Sequence, residues 1–420
     1  SSKPLQTAQK LRRYLNTRPR PHPYPIPFQP WLALSLDARV AYGLDLPMND
    51  APGAPVVCYG HEVPSFSNVF PKLLRLTLEL LSIDQIRLTI DALSEPQRAA
   101  MLHFLGENGL ASVVETLDTS KQDLVKASVA HLPDSTHQHF STVYPNIMLR
   151  LYDTLTPEQI ITFMKRLDAK DLAAQSLFMG NEGRKIVFSG LRDDSVAAVL
   201  DKTEDWVFLE TGKRALANLA QYECTLIKQE RVGKKLQDPE TIHLKMREDP
   251  KAIYMKWIAG PFKGRELLYS TKLGTDVMRV REAGVFGIVP VTIGLDTPVA
   301  RRGTNHRVTE VGFRHLLALI EKDYAVAAPR GHVQRVNHGL ETVHGRKTYK
   351  METILPRDPR LGYYCYRMMH WTDFVRGIEV KSEVYNFQDE LQEAYDYKDV
   401  NDAPGFSDLD FDPHNKAYKL

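Results

Sequence analysis

Two short runs decide the fold of this chain: Gln221-Tyr-Glu-Cys-Thr-Leu-Ile227 and Thr241-Ile-His-Leu-Lys-Met246. In the first, Tyr222, Cys224 and Leu226 alternate with Glu223, Thr225 and Ile227. In the second, Ile242, Leu244 and Met246 alternate with Thr241, His243 and Lys245, and Gly233-Lys234-Lys235 turns the chain between the runs. Successive side chains of a strand leave opposite faces. A period of two therefore predicts an antiparallel sheet with one face buried and one in water.

Downstream the same reading continues. Tyr254-Met-Lys-Trp-Ile258 is a strand ended by Gly260-Pro261, and Glu266–Thr271 with Asp276–Glu282 forms a hairpin around Leu273-Gly274. Gly284, Gly287 and Gly294 mark a loop. Thr309 to Lys322 is the one helix, capped by Thr309 and striped by Leu316, Leu317, Leu319 and Ile320. Strands return at 332–337, 341–354, 362–370, 376–386 and 392–397. So long a meander curls, which predicts a curved antiparallel sheet, a half-barrel, over residues 218–420 with one packed helix.

Upstream, residues 66–217 read as helices, and they repeat. Leu81-Ser-Ile-Asp-Gln85-Ile86 matches Leu155-Thr-Pro-Glu-Gln159-Ile160 at an offset of 74. At the same offset Leu93-Ser94 falls on Leu167-Asp168, Gly106-Glu-Asn-Gly109 on Gly180-Asn-Glu-Gly183, and Leu117 on Leu191. Ser82, Ser94, Thr156 and Asp168 are expected N-caps, with the glycines as stops. A duplicated unit of short helices predicts a small superhelix or bundle. The predicted class is thus α+β in two domains. Residues 1–65 form an amino-terminal arm, with a short helix near 1–15 and alternating prolines from Pro19 to Pro27. Proline at every second position makes extended chain, read as a semi-rigid spacer or a docking segment.

Composition narrows the function. The net charge of +2 gives no support to nucleic-acid binding, and no apolar run reaches bilayer length. The start at Ser1-Ser2-Lys3-Pro4 suits a trimmed chain, or a lipoprotein whose acylated cysteine precedes it. Cys58, Cys224 and Cys365 form no disulfide framework; Cys224 and Cys365 are either buried thiols or one bridge in an oxidising compartment. Nucleophile elbows, P-loops and dinucleotide fingerprints are absent from the sequence, and no catalytic residue or cofactor is expected. No metal motif is read either: His338 and His344 precede glycines and look like turn residues, and the terminal aspartates look like a tail pinned by Phe406 and Phe411. Met255, Trp257, Met278, Met351, Met368 and Trp371 are large adaptable side chains in predicted strands, either plain core or the lining of an apolar cavity. Arg301 and Arg302, beside Asn305-His306-Arg307, read either as recognition of an anionic headgroup or as a loop paired with Asp296 and Glu310.

Several phrases carry a resemblance. Tyr254-Met-Lys-Trp-Ile258, Gly260-Pro261 with Gly264-Arg265-Glu266, Ala300-Arg301-Arg302-Gly303 with Val308-Thr-Glu310, and the ending from Tyr395 through Asp412 resemble an uncharacterised family of bacterial envelope proteins, domain of unknown function 1571. That family is similar in fold to the periplasmic lipoprotein carriers of the LolA, LolB and LppX types. The resemblance implies a half-barrel with a helix as lid and a cavity for acyl chains. It also implies a non-enzymatic, periplasmic or envelope-associated protein of Gram-negative bacteria whose partner is a lipid or lipidated protein. Leu155-Thr-Pro-Glu-Gln-Ile with Leu167-Asp-Ala-Lys-Asp-Leu172 is similar to helical repeats of flagellar motor-switch and magnesium-transporter domains, which implies a protein partner for the helical half. The alternative reading is a scaffold of an envelope assembly, acting through the repeat and the proline-rich arm.

Overall fold

The computed structural model describes residues 56–130, 132, 139–287 and 289–420. The expected helix at 1–15 and the proline run lie outside them. Contacts divide the chain into two compact units: a helical one, to Leu191 with Lys202–Val207, and a sheet one, Arg192–Asp201 with Phe208–Leu420.

The helical unit opens with a small hairpin, β1 (Val56–Cys58) and β2 (His61–Val63), in a stretch the sequence assigned to the amino-terminal arm. Helices α1 (Phe66–Leu80), α2 (Ile83–Ala92), α3 (Glu95–Val114) and α4 (Thr119–Val129) follow. Their counterparts 74 residues on are α5 (Phe140–Thr154), α6 (Pro157–Arg166), α7 (Ala169–Gly190) and α8 (Asp193–Lys202). The duplication is physical in detail. Ser82 with Gln85 and Thr156 with Gln159 close the same capping box, each cap oxygen accepting from the third helical N–H. Pro71 and Pro145 sit inside matching helices, and Gly106 and Gly180 break α3 and α7 at φ 62° and 63°. Only glycine takes that conformation without strain.

The two copies meet reciprocally. Gln85 Nε2 donates to Gln159 Oε1 (2.9 Å) and to the Thr154 carbonyl (2.9 Å); Gln159 Nε2 donates back to Gln85 Oε1 (3.1 Å) and to the Leu80 carbonyl (2.6 Å). Phe66 stacks on Phe178 at 4.2 Å, and the equivalent pair, Phe140 on Phe104, stacks at 4.2 Å. Phe66–Tyr144 at 4.8 Å mirrors Phe140–Phe70 at 4.9 Å. If residue i meets j and the equivalent of j meets the equivalent of i, the operator is a two-fold. The unit is therefore a closed pseudo-dimer rather than a head-to-tail superhelix.

In the second copy Gln175 Nε2 donates to Tyr144 Oη (2.7 Å) and accepts from Tyr152 Oη (3.1 Å), all buried. The first copy has Met101, Phe70 and Leu78 there. Burial pushes both tyrosines above their ordinary range. The whole polar triad is present in one copy and replaced in the other, as satisfaction of buried polar groups requires.

The sheet unit takes α8 and most of α9 (Asp205–Ala217). Tyr349 Oη donates to Asp201, and Arg335 and Asn337 donate to the Asp201 carbonyl. Its strands are β3 (Gln221–Val232), β4 (Lys235–Leu236), β5 (Glu240–Arg247), β6 (Ala252–Ala259), β7 (Glu266–Ser270), β8 (Val277–Arg281) and β9 (Val291–Gly294). After α10 (Phe313–Ala327) come β10 (Gln334–Val343), β11 (Arg346–Ile354), β12 (Arg367–Asp373), β13 (Ile378–Tyr385) and β14 (Leu391–Asn401). The curved, open sheet runs β10-β11-β12-β13-β14-β3-β5-β6-β7-β8-β9, with β4 paired to β3, and every pairing is antiparallel. The last strand pairs with the first in the middle, which leaves β9 and β10 as opposite edges. The segment between them, residues 295–333, must therefore cross one face, and it carries α10 over the inner face as it does so.

Three local readings are corrected. The helix starts at Phe313, not after Thr309, because Val308–Glu310 forms a 3-10 turn and Gly312, at φ 101°, precedes the helix. β9 replaces part of the expected loop. β10 runs unbroken through His338 because a bulge at Asn337/Gly339 keeps the ladder paired; the turn is at His344-Gly345.

The aromatic centre of the helical unit yields a graded expectation. Phe178 is fully buried and its counterpart Phe104 only partly. Phe178→Ala should cost about 3–5 kcal/mol and Phe104→Ala clearly less, measured by chemical denaturation followed through the helical circular dichroism signal. Equal losses would contradict the packing described.

Candidate ligand-binding site

The inner face of the sheet is built in cross-strand rows. Tyr222 opposes Met246, Cys224 opposes Leu244, and Leu226 opposes Ile242. Ile242 opposes Trp257, Leu244 opposes Met255, and Met255 opposes Leu267. These side chains form one continuous core, which Phe313 and Leu317 of α10 and Val308 and Val311 before it cover.

The expected cavity residues fall in different places. Met255, Trp257 and Met278 are 6%, 5% and 4% exposed and share that core. Met368 lies in a satellite cluster with Leu316, Cys365 and Val384, under α10. Met351 opposes His370 on β12. Trp371, 3% exposed, belongs to the main core cluster, yet it is three positions on from Met368 and leaves β12 by the other face. There its ring lies between Lys350 (4.9 Å) and Lys381 (4.2 Å), and its Nε1 donates to Glu341 (2.9 Å). Cys224 and Cys365 are buried free thiols in separate clusters, both pushed up by burial.

At one end the inner face turns polar, which the strand alternation did not reveal. Lys228 opposes Glu240, Tyr395 opposes Lys228, and Glu393 opposes Glu230. Glu230 and Glu393 are each 2% exposed. Two like charges facing each other across paired strands repel. The loop ahead of α10 resolves this. Asn305 donates its backbone N–H to Glu230 (2.7 Å) and its Nδ2 to Glu393 (3.3 Å). Tyr395 Oη donates to Glu230 (2.9 Å), and Tyr364 Oη donates to Glu393 (2.6 Å). His306 Nε2 lies 3.1 Å from Glu393, and Lys228 Nζ lies 3.4 Å from Glu230. Burial alone would raise the Glu230 carboxyl; Lys228, the Asn305 N–H and Tyr395 outweigh it and hold the group below its usual range. Nearby, Trp257 Nε1 donates to the buried Glu240 carboxylate.

Arg301 and Arg302 belong to this loop. Arg301 Nη2 donates to the Asn305 carbonyl (3.0 Å), while its Nη1 is buried without a hydrogen bond; Arg302 is exposed. Arg307, not Arg301, takes Asp296, through two bonds of 2.7 Å.

The outer face is covered by the carboxy-terminal tail. Phe411 is buried against Ala252, Tyr254 and Leu268, with Phe406 and Tyr418 packed around it. Lys245 holds Asp410, and both Arg247 and Lys272 hold Asp408.

Residues 219–420 match the family described as a protein of unknown function, DUF1571. The phrases that carry the resemblance have structural duties. A Cβ at Gly260 would stand 2.5 Å from the Pro239 carbonyl oxygen. Arg265 stacks on Phe262 (4.0 Å) and chelates Glu282, and Glu266 accepts from Tyr254 Oη (3.1 Å) and the Lys419 N–H (3.0 Å). No curated protein sequence matches the chain. Solved structures with a similar fold include lipoprotein LppX of Mycobacterium tuberculosis, 14% identical over 47% of this chain and 97% of that one, TM-score 0.29. LprF of Mycobacterium bovis is 14% identical over 47% and 93%, TM-score 0.27. A LolA superfamily protein of Nitrosomonas europaea is 10% identical over 48% and 97%, TM-score 0.21.

Glu230 sets an acid limit. The folded pKa of Glu230 lies below its unfolded value. Its stabilisation is therefore present above the unfolded value and is lost as pH falls through the folded one. The sheet unit should lose stability on acidification from about pH 5 to pH 3, and Glu230→Gln should flatten that loss while lowering stability at neutral pH. Thermal melts across pH check this; an unchanged profile in the variant would remove Glu230 from the account.

Proposed function

We propose that the sheet unit is a non-enzymatic binding module of the bacterial cell envelope, on its periplasmic side, for an amphipathic molecule: a lipid or an acylated protein. The observation that carries this reading is a continuous apolar face covered largely by the segment before and through α10, with Leu216 at the end of α9 beside it. Leu295, Val308, Val311, Phe313 and Leu317 of that segment pack on the same core as the row of Leu244, Met255 and Leu267. Displacing that segment would open a strip for an acyl chain, where Met255, Trp257, Met278 and, further along, Met351 and Met368 supply the walls. Binding would gain about 25 cal/mol per Å² of apolar surface buried, before ordering costs. Arg301, with one guanidinium nitrogen buried and unbonded, and the exposed Arg302 would meet the anionic head. Trp371 would support the sheet from its other face rather than touch the chain. Among the described residues no helix is long and apolar enough to cross a membrane.

A second reading, a protein scaffold, has its own observation. The equivalent helices α2 and α6 each expose a large apolar side chain, Leu88 at 65% and Ile161 at 49%. These suit a partner protein docked on the helical unit.

Native mass spectrometry of the protein purified from its own envelope, followed by organic extraction, tests the first reading. A stoichiometric lipid or acylated species is expected, and uptake of a fluorescent fatty acid should weaken about tenfold in Arg301→Ala with Arg302→Ala, the loss of one good charged contact. A clean apo mass with no uptake would overturn it. Capture of a partner by the full chain that Leu88→Glu with Ile161→Glu abolishes would then support the scaffold.

A further inference from the structure

The polar end of the inner face holds a second constellation that neither the lipid reading nor the family description uses. His306, Glu310 and His315 each offer one ligand atom, and these atoms all lie within 4.8 Å of one another. The three come from a loop, a 3-10 turn and the first turn of α10. His306 Nδ1 lies 3.6 Å from Glu310 Oε2. The two imidazole rings are 5.4 Å apart at 70°, and His315 Nε2 is buried without a hydrogen bond. A buried ring nitrogen with no partner is costly unless something approaches it.

The other nitrogen of His306 completes the pattern. Its Nε2 lies 3.1 Å from Glu393 Oε1, a carboxylate that is 2% exposed. If Nε2 holds the proton and donates to Glu393, Nδ1 presents its lone pair toward Glu310 and His315. A carboxylate that fixes a histidine's tautomer from behind is the usual outer support of a metal-bound imidazole. The surrounding charge agrees. Glu310, Glu393 and Glu230 lie around the histidines, with Lys228 ion-paired to Glu230.

We propose that His306, Glu310 and His315 form a binding site for a divalent transition metal, with Zn²⁺ the best chemical match. Two imidazoles and one carboxylate are a borderline donor set that suits zinc. Metal–ligand bonds of about 2.0–2.2 Å would draw the three groups closer than they stand now. Three protein ligands leave a fourth position for water or an anionic group. Because the ligands span the loop and α10, the metal would clamp the cover segment to itself beside Glu393. No regular metal motif marks the site in the sequence, because the ligands are separated by three and then four residues across a break at Gly312.

The test uses the full chain, stripped with a chelator. Zn²⁺ is titrated in competition with a chromophoric chelator, and Co²⁺ is then added to read coordination from its visible absorption. One equivalent bound is expected, with intense tetrahedral Co²⁺ bands. Binding should weaken at least tenfold in His315→Ala and in Glu310→Gln, and stay unchanged in His414→Ala, whose side chain is 92% exposed. His315 Nε2 makes no hydrogen bond, so that variant should keep the circular dichroism of the parent; should it fail to fold, Glu310→Gln decides. Absence of a one-equivalent site, or affinity and Co²⁺ bands unaltered in the folded variants, would overturn the proposal. The lipid assay is independent, since a protein that takes up fatty acid without binding Zn²⁺ refutes only the metal site.

Discussion

Two carboxylates stand opposite each other in neighbouring strands and away from water, and the arrangement of the sheet unit follows from how they are kept there. Glu230 on β3 and Glu393 on β14 are cross-strand partners at the junction of the first and last strands. Unpaired, a buried charge costs several kcal/mol. The compensation comes mostly from one loop, through Asn305 and His306, with Tyr364, Tyr395 and Lys228 filling the remaining positions. That loop is therefore docked by charge-assisted hydrogen bonds. Its continuation through Gly312 delivers Phe313 onto Tyr222 and Tyr397 at 4.8 and 4.5 Å. A Cβ at Gly312 would collide with the Tyr222 hydroxyl. The polar anchor and the apolar cover are parts of one device.

The helical unit reaches closure by another route. A tandem duplication can stack head to tail, which leaves both ends uncovered, or close about a two-fold, which saturates the shared face. The paired amides of Gln85 and Gln159 and the reciprocal phenylalanine stacks select the second. Having closed, the copies diverged where one buries Tyr144, Tyr152 and Gln175 as a satisfied network and the other has the apolar Phe70, Leu78 and Met101.

Most residues of the phrases that carry the resemblance act on geometry rather than chemistry. Gly260 admits the Pro239 carbonyl, and Gly303, at φ 76°, lets the loop rest on the Phe262 ring. Glu266 ties β6 and β7 to the end of the tail, through Tyr254 and the Lys419 N–H. Arginine pairs in such loops are easily taken for ligand contacts. Here Arg301 first holds its own loop through the Asn305 carbonyl.

Sequence alone determined whatever depends on near neighbours and on exact spacing. The alternation from Tyr222 to Met246 declared a half-buried antiparallel sheet, and the match of Gln85 to Gln159 declared a duplication, because period and register are local properties of the chain. The turn residues placed most strands, although the bulge at Gly339 and the delayed start of α10 escaped, since a ladder partner and a glycine conformation decided those. Only the tertiary structure decided which face each side chain serves. Met368 and Trp371 look alike in sequence, yet they leave β12 on opposite sides. It also decided that Glu230 and Glu393 meet each other and the loop of Asn305 and His306, though the three stretches are far apart along the chain. Their proximity follows from the pairing of β14 with β3 and from the crossing of residues 295–333 between the sheet's two edges. Both are long-range choices, set by the need to bury one face of the sheet, and no local pattern records them.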